Sequence, residues 1–97
     1  GHMAIDAKFP LENYQRLHDP DASDAERRAA ASAFKQDVRK HIEDIAGRYI
    51  IAGETTDAAI MFLPSEAVFA ELHAHQADLV AASQRRRVWI ASPTTMM

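Results

Sequence analysis

Cysteine is absent from the 97 residues of this chain. The absence excludes disulfide bonds, zinc sites built on thiolates and catalysis by a thiol nucleophile. Long apolar runs are absent too, since no run approaches the ~18 apolar residues of a transmembrane helix. We therefore expect a cytoplasmic segment that makes no contact with a membrane.

Positive charge is not in surplus either. The formal net charge is −3, whereas domains that bind nucleic acid non-specifically usually carry a basic surplus. Any contact with DNA must therefore come from a local patch, from a bound cation or from a part of the protein outside this sequence.

The length allows one domain and is near the lower limit for burying an adequate core. Residues 1–3, Gly-His-Met, have the form of a scar left by removal of an affinity tag. Residues 4–97 start inside a predicted strand and end without a turn signal. We expect them to be part of a larger domain, without its preceding strand and its following helix.

The clearest pattern predicts a long helix. Ser23 and Glu26 have the spacing of a capping box, in which each side chain binds the free backbone amide of the other residue. Apolar residues then recur at spacings of three or four, namely Phe34, Val38, Ile42, Ile45 and Tyr49. This helical period predicts a helix from about Asp24 to Ala46, and Gly47 is placed to end it in a left-handed turn.

Short apolar runs at 4–10, 58–63 and 88–91 predict three strands. Between the second and third strands, patterns at about 65–74 and 78–87 predict two helices. The order β-α-β-α-β predicts an α/β fold with a mostly parallel three-stranded sheet flanked by helices, with Trp89 in the core. The carboxyl ends of such strands meet at one edge, where open α/β sheets bind ligands. That edge would gather polar residues from three strand ends: Lys8, Ser65, Glu66, Ser92, Thr94 and Thr95.

Asp6 and Lys8 are the candidate catalytic pair. On a strand, residues two apart point to the same face. A carboxylate can hold Mg²⁺ through oxygen, and an ammonium beside it can orient a water molecule or stabilise charge on a phosphate. Many strands contain this spacing by chance, and it then forms an ordinary surface ion pair worth about 0.2–1 kcal/mol. The spacing alone leaves both interpretations open.

Other polar residues have a functional and a structural interpretation. Glu66 is an outside candidate for a metal or water contact, although an acid at a helix start also interacts favourably with the helix dipole. Arg85, Arg86 and Arg87 could bind DNA phosphate, or could complement the dipole at a helix end. His41 is predicted to pack beside the apolar stripe or to face solvent.

Five blocks of the chain resemble the RmuC family of bacterial DNA recombination proteins. They are 5–14 (IDAKFPLENY), 49–51 (YII), 53–57 (GETTD), 61–67 (MFLPSEA) and 85–95 (RRRVWIASPTT). The resemblance implies a core like that of the PD-(D/E)xK nucleases, with the restriction-endonuclease fold, and a role in limiting rearrangement at inverted repeats. It implies that Asp6-Ala7-Lys8 is the (D/E)xK half of the nuclease motif, with Asp6 as a metal ligand and Lys8 as the catalytic lysine.

The same resemblance implies that the other acid lies on a preceding strand, before this sequence begins. We therefore expect the complete domain to hydrolyse DNA phosphodiesters with Mg²⁺, and the 97-residue chain to bind Mg²⁺ poorly and to be inactive. Family members commonly carry an amino-terminal membrane anchor and a coiled coil, and this sequence contains neither. Two alternatives stay open: a non-catalytic DNA-binding or scaffold module of the same fold, and an interaction domain without DNA contact.

Overall fold

The computed structural model describes residues 2–6, 9–50 and 56–95. The elements in chain order are β1 (His2–Asp6), α1 (Glu12–Leu17), α2 (Asp24–Tyr49), β2 (Thr56–Phe62), α3 (Glu66–His75), α4 (Ala77–Arg85) and β3 (Val88–Ala91). The predicted α/β class is confirmed. Lys8 of the candidate pair and the connector that contains Gly53 lie outside the described residues.

The three strands form one parallel sheet in the order β1-β2-β3. Both connections advance across the sheet in the same direction, so right-handed crossovers carry their helices to the same face. Accordingly α2 packs against β2 and β3, and α4 packs against β3. The core lies between these helices and the sheet, and includes Ala59, Met61 and Val88 from the strands.

Helix α2 begins as its sequence predicts. The Ser23 hydroxyl accepts a hydrogen bond from the Glu26 amide at 3.1 Å, and the Ser23 amide donates to the Glu26 carboxylate at 3.2 Å. The predicted apolar stripe is buried at Phe34, Val38, Ile42 and Ile45. No helix among the described residues combines the length and the apolar character needed to cross a membrane.

The predicted end of α2 at Ala46 is wrong, because the helix continues through Gly47 to Tyr49. The Ile50 amide still donates to the Ala46 carbonyl at 2.8 Å. Tyr49 and Ile50 pack against the core beyond the glycine. Their burial offsets the roughly 1 kcal/mol that glycine costs inside a helix.

One face of the sheet has no helix over it among the described residues. Ile5, Ile60 and Trp89 are neighbours in register and form a row across this face. Ile5 is 54% exposed and Trp89 is 46% exposed. The prediction that Trp89 lies in the core is therefore wrong, and the reason is that both crossovers cover the opposite face.

Gly47 gives a test of the local energetics of α2. A Cβ atom at this position would meet nothing within 4 Å. We expect Gly47→Ala to raise the free energy of unfolding by about 0.5–1 kcal/mol, since alanine loses less backbone entropy in a helix. Urea denaturation measures this change. Ala29→Gly, at an exposed position of the same helix, should lower stability by a similar amount. A destabilising Gly47→Ala would contradict the assignment of Gly47 to the helix interior.

Candidate functional site

Asp6 ends β1 on the covered face of the sheet. Its neighbour in register on β2 is the buried Met61, and Asp6 itself is only 7% exposed. A buried carboxylate at the carboxyl end of a parallel strand is unusual, because burying a charge is costly without compensating partners. The sequence predicts a polar site at this end of β1. The residue found there, Asp6, is largely shielded from solvent.

A cavity of about 520 Å³ opens beside Asp6. The side of α2 next to its apolar stripe forms one wall, and Phe9 and Pro10 form another. The polar residues that α2 contributes share helical spacing and are Asp37, Lys40, His41, Asp44 and Arg48. The cavity thus mixes three carboxylates, counting Asp6, with three basic side chains.

Two of these basic residues face the Asp6 carboxylate. Arg48 Nη1 lies 3.5 Å from Asp6 Oδ2, and His41 Nε2 lies 3.7 Å from Asp6 Oδ1. Both distances exceed the 2.7–2.9 Å or so of a charge-assisted hydrogen bond. The Arg48 contact therefore acts through charge at short range rather than through an optimal hydrogen bond, and the His41 ring lies beside the carboxylate without a close hydrogen bond to it.

His41 has an unusual position. Its Nε2 atom is buried and forms no hydrogen bond within the part of the chain that the structure describes. Its ring meets the Phe9 ring edge-on, with the centroids 6.0 Å apart. The residue packs, as the sequence predicts, but it also faces Asp6, which sequence reasoning missed. The available signal was its helical spacing from Asp37, Asp44 and Arg48, which marks a second, polar stripe on α2.

The opposite rim of the cavity is fixed by α1. Asn13 Nδ2 donates a hydrogen bond to Asp37 Oδ2 at 2.7 Å. The Asp37 carboxylate is thereby tied to α1, and its charge is held at the rim. One of the three cavity carboxylates is therefore already occupied by a structural contact.

Glu66 belongs to a second polar cluster, which joins the start of α3 to the residues after β3. Its Oε2 accepts a hydrogen bond from Ser92 Oγ at 2.9 Å, and its Oε1 accepts one from the Thr94 amide at 2.7 Å. Hydrogen bonds from Thr94, and a smaller contribution from Ser92, lower the pKa of Glu66, although partial desolvation opposes them. The polar ends of β2 and β3 thus meet as expected, and both Glu66 oxygens hold the loop after β3.

The arginine run lies at the other end of the sheet. Arg87 immediately precedes β3, whereas Asp6 is the last residue of β1, and the strands are parallel. Arg87 has a left-handed backbone, with φ of 61°, and Arg86 Nε lies 3.1 Å from Glu43 Oε2. The predicted helix end at Arg87 is therefore two residues too late, because α4 ends at Arg85. DNA binding by these arginines stays a prediction.

The described donors do not complete a metal site. Mg²⁺ prefers several carboxylate oxygens and water, and Asp6 is of the right chemical kind. No group of three or more histidine, aspartate and glutamate side chains within 2–6, 9–50 and 56–95 is arranged to hold an ion. The predicted metal role of Asp6 would therefore need ligands from further residues, as the sequence resemblance also implies.

Comparison with known proteins gives a consistent result. The model of the RmuC family matches residues 1–97. A protein of Xylella fastidiosa (strain 9a5c) named DNA recombination protein RmuC homolog is 33% identical over 97% of this chain and 21% of its own length. Escherichia coli (strain K12) DNA recombination protein RmuC is 29% identical over 98% of this chain and 20% of its own length. The chain thus spans about a fifth of these relatives. No solved structure matches it.

The Glu66 cluster provides a test by titration. The fold lowers the pKa of Glu66 from its usual value of 4.5, so its hydrogen bonds favour the ionised form. Their contribution to stability is present above pH 4.5 and is lost as the pH falls through the lowered pKa. We expect ¹³C NMR titration to give a pKa below 4.5, and Thr94→Val to move it upward. Ser92→Ala should raise it less. A pKa at or above 4.5 in the folded protein would contradict the described contacts.

Proposed function

Because this chain belongs to the RmuC family, we propose that it forms part of a DNA recombination protein and carries one half of a metal-dependent site for DNA phosphodiester hydrolysis. The observation that carries the proposal is the buried Asp6 carboxylate at the end of β1, beside a cavity lined by both acidic and basic side chains. The names of the relatives support the role in DNA recombination. The role in limiting rearrangement at inverted repeats belongs to the same proposal.

In this proposal, each residue has a defined task. Asp6 would be one ligand of a Mg²⁺ ion, together with an acid from outside this chain. When bound, the ion would supply positive charge that stabilises the phosphate in the transition state. Lys8, which follows Asp6 by two positions, would orient the attacking water, and Lys40 would add positive charge at the cavity where a DNA phosphate approaches.

A non-catalytic DNA-binding or scaffold module is the second candidate. One observation favours it: the two Asp6 oxygens already lie 3.5 Å from Arg48 and 3.7 Å from His41. A carboxylate with such partners can have a purely structural role, since removing one partner of a buried charge is strongly destabilising. In that case the basic residues of the cavity would bind DNA without cleaving it.

Cleavage assays separate the two candidates. The assay uses a protein of the same length as the relatives, with Mg²⁺ or Mn²⁺ in the buffer. Linear DNA and branched DNA are the substrates. We expect Asp6→Asn and Lys8→Ala to reduce cleavage roughly a hundredfold or more, the usual effect of losing a group that stabilises the transition state. Circular dichroism checks that both variants stay folded.

Matched variants and DNA binding complete the experiment. Asp21→Asn and Lys35→Ala alter the same residue types at sites that do not line the Asp6 cavity, so they should leave cleavage unchanged. Binding that weakens steeply with salt, with no cleavage of any substrate by the folded protein, would favour the non-catalytic module. Absence of binding at every salt concentration would refute both candidates.

A further inference from the structure

The residues that follow β3 carry the hydrogen bonds of a helix start. The Ser92 amide donates to Thr95 Oγ1 at 2.6 Å, and the Thr95 amide donates to Ser92 Oγ at 3.5 Å. Each side chain thus binds the backbone amide of the other residue, three positions away, as in a capping box. The second bond is similar in length to the cap of α3, where the Val68 amide donates to Ser65 Oγ at 3.4 Å. Pro93 then occupies the first helical position, which proline favours because no amide has to be satisfied there.

Glu66 completes this helix start. Its Oε1 accepts a hydrogen bond from the Thr94 amide at 2.7 Å, and its Oε2 accepts one from the Ser92 hydroxyl at 2.9 Å. The first amides of a helix have no partner within the helix, and a carboxylate near them is stabilising. Since position 93 is proline, the amides of Thr94 and Thr95 are the two that need acceptors, and both have them. The turn at 93–95 therefore has the geometry from which a helix can continue.

The face of the sheet that no described helix covers, the open face, offers such a helix an apolar surface. The side chains that the structure describes on this face are all apolar, and they are Ile5, Ala58, Ile60, Phe62, Trp89 and Ala91. Parallel sheets are almost always covered on both faces. A surface without charge suits the apolar side of an amphipathic helix.

The size of the open face favours a helix of the same polypeptide over a second copy of the chain. The strands are five, seven and four residues long, so the usual spacing and rise of strands give the face an area of about 250 Å². A stable interface between separate proteins buries ~800 Å² on each partner. A tethered helix needs less contact, since the linkage keeps its local concentration high. The RmuC relatives are about five times as long as this chain, which provides a source for such a helix outside residues 1–97.

The direction of the chain selects the open face. The strands advance across the sheet in one direction, and right-handed crossovers put α2 and α4 on the same face. A helix that continued in this direction would extend beyond β3 on the side that α4 occupies. A helix that returns from β3 towards β1 with the same handedness covers the opposite face, which is the open one.

We propose that a helix starts at Pro93, continues beyond residue 97 in the full-length protein, and packs its apolar side on the open face of the sheet. The occupant of this face is the segment that follows Thr95. Ile60, on the middle strand, lies at the centre of the contact, between Ile5 and Trp89. The proposal is independent of the metal-dependent function, since it involves neither Asp6 nor its cavity.

Hydroxyl-radical footprinting with mass spectrometry tests whether the open face is covered. It compares the 97-residue chain with a protein of the same length as the relatives, the longer protein. We expect Trp89 to react roughly threefold or more slowly in the longer protein at every protein concentration, because burial removes most of its 46% exposure. Phe69, half-buried on α3, should react equally in both. Equal reactivity of Trp89 in the two proteins would overturn the proposal, and protection that grows with protein concentration would assign the face to a second copy instead.

Hydrogen exchange in the longer protein tests the helix start. We expect protected amides in the segment that follows Thr95, and we expect Thr95→Val to speed their exchange by roughly 2- to 30-fold, the usual effect of losing an N-cap contact. Ser65→Ala removes the equivalent contact from α3 and should leave that segment unchanged. Amides after Thr95 that exchange as fast as those of an unfolded peptide would refute the helix.

A charge on the open face tests what the helix contacts. Ile5→Glu should speed exchange in the segment after Thr95 by about tenfold or more, because the helix would have to bury an unpaired carboxylate. Ala81→Glu adds the same charge at an exposed position of α4 and should have no such effect. Protected amides after Thr95 that do not respond to Ile5→Glu would show a helix packed elsewhere, and the proposal would fail. None of these measurements depends on cleavage of DNA.

Discussion

Apolar side chains along one stripe of α2 pack against one face of the three-stranded sheet, and the other features of the molecule follow from that contact. Phe34, Val38 and Ile42 are almost fully buried in it. A helix of 26 residues is about 39 Å long, much longer than the strands. The stripe fixes the rotation of α2 about its own axis, so the neighbouring polar stripe faces the end of β1. The Asp6 cavity is a consequence of this rotation.

The same contact explains why a charged group is tolerated near the core. Asp6 alternates with the exposed Ile5 along β1, and the face that carries Asp6 is the face under α2. Arg48 of α2 places a cationic side chain beside this carboxylate, and the His41 ring of the same helix lies next to it. Strand alternation and helix period, two independent repeats, bring opposite charges together at one point.

Much of this arrangement could be predicted from the sequence, and the failures have physical causes. The capping box and the apolar period of α2 are local, so they predicted its start and its buried face correctly. Gly47 was predicted to end the helix from its local preference, but burial of Tyr49 and Ile50 outweighs that preference. Trp89 was predicted to be core because apolar runs in parallel sheets are usually covered on both faces. Which face is covered depends on strand order, which the local sequence does not contain.

The candidate site was predicted in part. The end of β1 and the meeting of Glu66 with Ser92 and Thr94 follow from parallel strands. His41 and Arg48 were missed as partners of Asp6 because the contact depends on how α2 is rotated against the sheet. The spacing of these two residues shows the polar stripe in the sequence. Which part of the sheet this stripe faces can be inferred only after the apolar stripe has been placed against the core.

Arg48 lies in the last turn of α2, directly after Gly47, and this position links two equilibria. Helix ends open more readily than helix centres, and glycine favours opening because its backbone gains the most conformational freedom. The contact with Asp6 joins this turn to β1, so closure of the turn and formation of the ion pair reinforce each other. Local unfolding of the turn and the contact between Arg48 and Asp6 are therefore coupled. Loss of this contact would change the rate at which the amide hydrogens of the last turn exchange with water.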